Sequence, residues 1–109
     1  MPHVKHVVLM RLPNDTPEET IAHLMRELSA LQDKIPGLLD FSGGRYSSPE
    51  GLHQGFTHAF SMTFSSPRSR DTYLTHPDHE AAKSLILPLL PSGLSDVIAF
   101  DWEEADTSE

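Results

Sequence analysis

Apolar and polar residues alternate from Val4 to Leu12, with His6, Val8 and Met10 on one face and Lys5, Val7, Leu9 and Arg11 on the other. A two-residue period predicts a strand, and the largely apolar character of both faces predicts a central one. Thr16-Pro17-Glu18-Glu19 then reads as a capping box with proline at the first helical position. Ile21, Leu24, Met25, Leu28, Leu31 and Ile35 follow at helical spacing until Pro36-Gly37, which predicts a helix over about residues 17–34 with one face on a sheet.

A second strand is expected over Leu38 to Tyr46, where Gly43-Gly44 signals a bulge or a close backbone approach. The polar turn cluster Ser47 to Gln54 leads into a third strand, Phe56 to Phe64, whose alternation groups His58, Phe60, Met62 and Phe64. Ser66-Pro67 opens a further helix, which His76-Pro77 interrupts before Leu87. Pro88 and Pro91 end the helical region, and Gly93 to Trp102 reads as the last strand. Residues 1–102 form one domain on this reading, and Glu103 to Glu109 is an acidic tail expected to fray.

The order strand, helix, strand, strand, broken helix, strand is ferredoxin-like: an α+β fold with a four-stranded antiparallel sheet and helices on one face. Such a sheet leaves its other face in need of cover. Val7, Leu9 and Val97 are the expected outward apolar residues, and a homodimer the expected way to cover them.

Composition narrows the function classes. With 16 acidic against 8 basic residues the net charge is −8, and the cations stand singly, which argues against nucleic acid and anionic membranes. The absence of cysteine excludes disulfides, thiolate nucleophiles and zinc–cysteine sites. The apolar run Val7 to Met10 is far shorter than a signal-peptide core or a membrane span, so a soluble cytoplasmic protein is expected.

Seven histidines are many for one small domain. His3, His23 and His53 read as solvated residues at a terminus, on a polar helix stripe and in a turn. His6 and His58 share strand faces with Val8, Met10, Phe60 and Met62. Either alone reads as a satisfied core histidine, whereas two converging suggest a pocket. The densest chemistry is Tyr73-Leu74-Thr75-His76-Pro77-Asp78-His79, at the helix break. Pro77 allows His79 to sit in the first turn of a new helix, where the dipole favours a neutral imidazole able to accept a proton. Equally, Pro77 can simply start a helix with His79 on a wet face. His76 and His79, three apart, lack the HExxH arrangement, and no metal site is expected.

Val4-Lys5-His6-Val7-Val8-Leu9, Gly55-Phe56-Thr57-His58, Tyr73 to His79 and Asp96-Val97-Ile98-Ala99-Phe100-Asp101 together resemble the stress-responsive dimeric α/β-barrel (Dabb) family over nearly the whole chain. The resemblance implies a ferredoxin-like protomer that pairs through its sheet into a barrel, with a ligand cavity between sheet and helices. It is strongest to the family's polyketide cyclases, which implies Tyr73 and His79 as the catalytic pair and His6 and His58 as cavity histidines. His76, Leu24 and Leu28 complete the expected substrate-binding set. The first helix offers Leu24, Met25 and Leu28 where the cyclases use bulky aromatics. The leading expectation is a cofactor-free enzyme acting on a β-keto or phenolic molecule through an enolate, by aldol cyclisation, dehydration or decarboxylation. A non-catalytic stress-responsive barrel binding an apolar ligand is the main rival. A cofactor-independent monooxygenase or a haem-handling protein is a third.

Overall fold

The computed structural model describes residues 2–105. Four strands, β1 (Val4–Met10), β2 (Leu38–Arg45), β3 (His58–Phe64) and β4 (Val97–Glu103), form one antiparallel sheet in the order β2-β3-β1-β4. Among the described residues, three α-helices, α1 (Glu18–Ala30), α2 (Pro67–Leu74) and α3 (Pro77–Ile86), accompany it. The ferredoxin-like arrangement expected from the sequence is the observed one, and β1 is central, paired on both sides.

Strand periodicity sets the core. The register aligns His6 with Met62 and Asp101, and Val8 with Phe60 and Ala99, so these residues share the inner face. Val4, Met10, Met62, Phe64, Leu24 and Leu28 are almost fully buried there. Each such side chain contributes about 1.5–3 kcal/mol by leaving water. Gly43 answers the close-approach reading: a Cβ there would stand 2.9 Å from Phe60 Cβ and 3.2 Å from Met25 Sδ, so its absence lets α1 settle on the sheet. The bulge lies elsewhere, between Leu38 and Asp40.

Helix ends follow local chemistry, with one correction. Ser66 caps α2 by accepting from Ser69 N at 3.1 Å, with Pro67 at the first position. The Thr16 capping box does not form. Preceding a proline, Thr16 is held out of the helical region, Pro17 becomes the N-cap, and the Thr16 hydroxyl donates to Pro13 O at 2.7 Å. The first helix also ends at Ala30, continuing as a 3-10 turn over Leu31–Asp33.

The last strand brings a second correction. A 3-10 turn, Gly93–Asp96, occupies the start of the expected strand, and Asp96 holds it by accepting from Ser92 N at 2.6 Å. Val97 then pairs with inward-facing Met10 and packs against the core, so it is not an outward residue. Ile98, Phe100 and Trp102 face out instead, beside Leu9, Val7 and Lys5, because a one-residue offset inverts every side chain of a strand. Glu103, read as tail, is the last residue of β4 opposite Val4; residues 106–109 of the expected tail lie outside the described residues. Among the described residues, no helix is long and apolar enough to cross a membrane.

Candidate functional site

A cavity of about 290 Å³ lies between the inner face of the sheet and the helices. Its apolar walls include Val8, Leu28, Phe60, Ile86 and Val97, and its polar groups are His6, Tyr73, His79 and Lys83. This volume is at the small end of the roughly 300–1,000 Å³ typical of ligand sites, which suits a ligand of one or two rings. The small side chain of Ala99, opposite Val8 on the inner face, leaves room for it.

The helix break predicted at His76-Pro77 builds the polar end of the cavity. Tyr73 is 2% exposed near the end of α2, and His79 is the third residue of α3. Their rings meet edge to face, with centroids 4.7 Å apart. Burial pushes the Tyr73 phenol up to about 12, so it remains a proton donor near neutral pH. His79 is held below its ordinary 6.5, first by burial and then by the Lys83 ammonium, with Glu80 and the Leu74 carbonyl opposing. Its Nδ1 is buried and makes no hydrogen bond of good geometry, the Leu74 carbonyl being only a loose contact of the ring. A neutral imidazole thus stands against a protonated phenol in an apolar cavity.

His6 enters from β1, 6.2 Å from the Tyr73 ring and 6.3 Å from Phe64. Its Nδ1 lies 2.6 Å from Asp101 Oδ1, and Arg70 Nη1 donates to Asp101 Oδ2 at 2.8 Å. Sequence reasoning missed both partners. Alternation could not supply them: Asp101 has the parity of Val97, which the sequence pattern places outward, and only the observed register turns this acid inward.

Of the expected site residues, the fold brings His6, Tyr73, His79 and Leu28 to the cavity. Leu24 is 2% exposed and belongs to the core beneath α1, away from the cavity lining. His76 is used as the N-cap of α3, its Nδ1 accepting from Asp78 N at 3.0 Å. His58, at the start of β3, engages Thr57 Oγ1 at 2.8 Å and borders a different depression, of about 350 Å³, with Val7, Leu9 and Tyr46. Burial, then the nearby Arg45, lowers its pKa. His53, read as solvated, is half-buried and stacks on Tyr46 with centroids 3.7 Å apart. Among the described residues, no group of three or more His, Cys, Asp or Glu is placed to hold a metal.

The two depressed histidines carry a pH prediction. Unfolded, each titrates near 6.5; folded, each titrates lower, so below that pH the unfolded chain binds more protons than the folded one. Their contribution to stability is fully present above 6.5 and is lost as the pH falls through the folded values. The melting temperature is therefore expected to decline on acidification from pH 6.5, and mutating both His58 and His79 to Gln is expected to flatten that decline. An unchanged acid limb in the double variant would contradict the assignment.

The family model described as "Stress responsive A/B Barrel Domain" matches residues 4–104. A curated relative, the stress-response A/B barrel domain-containing protein HS1 of Arabidopsis thaliana, is 31% identical over 96% of this chain and 93% of its own length. Olivetolic acid cyclase of Cannabis sativa is 24% identical over 93% of this chain and 88% of its own. Among solved structures, a dimeric ferredoxin-like protein of unknown function from Jannaschia superposes with a TM-score of 0.83 at 24% identity, covering 94% of this chain and 99% of that one.

Proposed function

The chain belongs to the stress-responsive A/B barrel domain family, and from that premise we propose that it is a cofactor-free enzyme of polyketide-cyclase type. Its substrate on this reading is a β-keto or phenolic small molecule, and its chemistry passes through an enolate. The observation that carries the proposal is the Tyr73–His79 pair: an imidazole kept neutral, with a buried nitrogen that makes no hydrogen bond of good geometry, against a phenol kept protonated.

A methylene between two carbonyls is acidic enough for an imidazole to deprotonate, provided that a donor meets the developing oxyanion. His79 takes the carbon-bound proton. Tyr73 donates a hydrogen bond to the enolate oxygen, and the apolar walls keep water from competing for that charge. His6 orients the substrate. Aldol cyclisation, dehydration and decarboxylation all share this intermediate, and the pair serves each. The similarity to a cyclase supports the class of chemistry.

We also propose a two-fold homodimer joined through the outer sheet face. Ile98, Phe100 and Trp102 are 44%, 64% and 46% exposed in the single chain, beside half-buried Val7 and Leu9, and a structural neighbour is dimeric. The competing reading is a non-catalytic dimer that binds an apolar ligand, favoured by the apolar walls of the cavity and by relatives named for stress response alone.

A panel of β-polyketide thioesters and phenolic acids separates the two. Turnover of at least one member is expected, reduced about 10²- to 10³-fold by Tyr73→Phe, the loss typical of removing one donor aimed at an oxyanion. Saturable binding across the panel with no product would establish the binding reading instead.

A further inference from the structure

The third polar group of the cavity is held by a chain of bonds that the proposed reaction does not explain. Arg70 donates from Nε to Asp71 Oδ1 at 2.7 Å and from Nη1 to Asp101 Oδ2 at 2.8 Å, and Asp101 Oδ1 meets His6 Nδ1 at 2.6 Å. The chain runs from α2 through β4 to β1. The Arg70 and Asp101 side chains are only 20% and 22% exposed, so solvent screens their pairing less than that of an open surface pair. Two carboxylates raise the guanidinium pKa, and the planar fork is fixed from both flanks.

An ionised carboxylate only accepts, so the proton between Asp101 and His6 belongs to His6 Nδ1. A neutral His6 ring then has its lone pair at Nε2. That outcome requires Asp101 to keep Oδ1 on the imidazole rather than turn toward water, and the bond from Arg70 to the other oxygen prevents the turn. We propose that Arg70 is a positioning residue: by clamping Asp101 it fixes His6 as the Nδ1–H tautomer, with Nε2 as the acceptor offered to a ligand. The use of that acceptor in orienting substrate rests on the enzyme reading above; the tautomer does not.

Nitrogen-15 correlation spectra of the histidine rings, recorded above neutral pH on labelled intact protein without ligand, test the proposal. Wild type is expected to show His6 as a single Nδ1–H species. Arg70→Met preserves the apolar stem and is expected to give a mixture with the Nε2–H form at little cost in melting temperature. Arg70→Lys, which keeps one charge, should restore most of the wild-type signature, and it provides the comparison if the methionine variant folds poorly. Asp101→Asn is expected to invert the tautomer, because the carboxamide N–H donates to Nδ1. An unchanged Nδ1–H signal in Arg70→Met, or an Nε2–H signal in wild type, would overturn the proposal. Once a substrate is in hand, kcat/KM should fall about 10- to 100-fold in Arg70→Met, by analogy with the partners that orient metal-ligating histidines. The expected spectra without turnover of any substrate would count against the enzyme reading alone.

Discussion

Glutamine in place of His79 is expected to lower turnover about 10²- to 10⁴-fold, the range spanned by loss of a positioned general base. Folding should survive. His79 occupies the first turn of α3, its Nδ1 makes no hydrogen bond of good geometry, and its charged form is already disfavoured by burial and by Lys83, so its removal leaves no buried group stranded. Steady-state kinetics on the substrate found by the panel, with thermal melting as the control, measures both effects. Turnover equal to wild type would remove His79 from the mechanism and transfer the role of base to His6, which lines the same cavity and is backed by Asp101.

Aspartate in place of Phe100 is expected to convert a dimer into monomers at micromolar concentration. Phe100 sits mid-strand on the outer face opposite Val7, and two-fold symmetry makes each substitution count twice. Withdrawing two phenylalanine side chains from an interface costs about 3–6 kcal/mol by area alone, a weakening of roughly 10²- to 10⁴-fold before charge repulsion is considered. Sedimentation velocity reads the change directly. A wild-type chain that sediments as a folded monomer at the same concentration would contradict the proposed assembly.

The fold was legible where periodicity was strict. β1 and β3 alternate cleanly, and the helix break at His76-Pro77 was visible because proline removes an amide and restricts its predecessor. The start of α1 was misread because a threonine before proline reads as a cap in sequence, while in three dimensions a local turn captures its hydroxyl. Val97 was misassigned because Gly93–Asp96 looks like strand and is a 3-10 turn. Only the pairing of Val97 with Met10 settles which side chains face out.

The candidate site was half legible. Tyr73 and His79 are close in sequence and stay together, since seven residues across a helix break return the chain to nearly the same place. His58 and His76 are kept from them by geometry that no spacing reveals: one stands opposite Met10, four residues along β1 from His6, and the other caps a helix. Arg70 and Asp101 meet His6 only through strand register and the placement of α2. Two contacts, between residues 31 and 95 positions apart, leave no local trace.

The central claim is that the cavity generates an enolate through His79, and proton exchange at carbon tests it before any cyclised product is known. A β-keto thioester is incubated with the protein in deuterium oxide, and loss of the methylene signal is followed by proton NMR against buffer alone. Exchange well above the buffer rate in wild type, and reduced to that rate in His79→Gln, is the predicted result. Wild-type exchange no faster than buffer across the thioester panel, or equally fast exchange in His79→Gln, would contradict it.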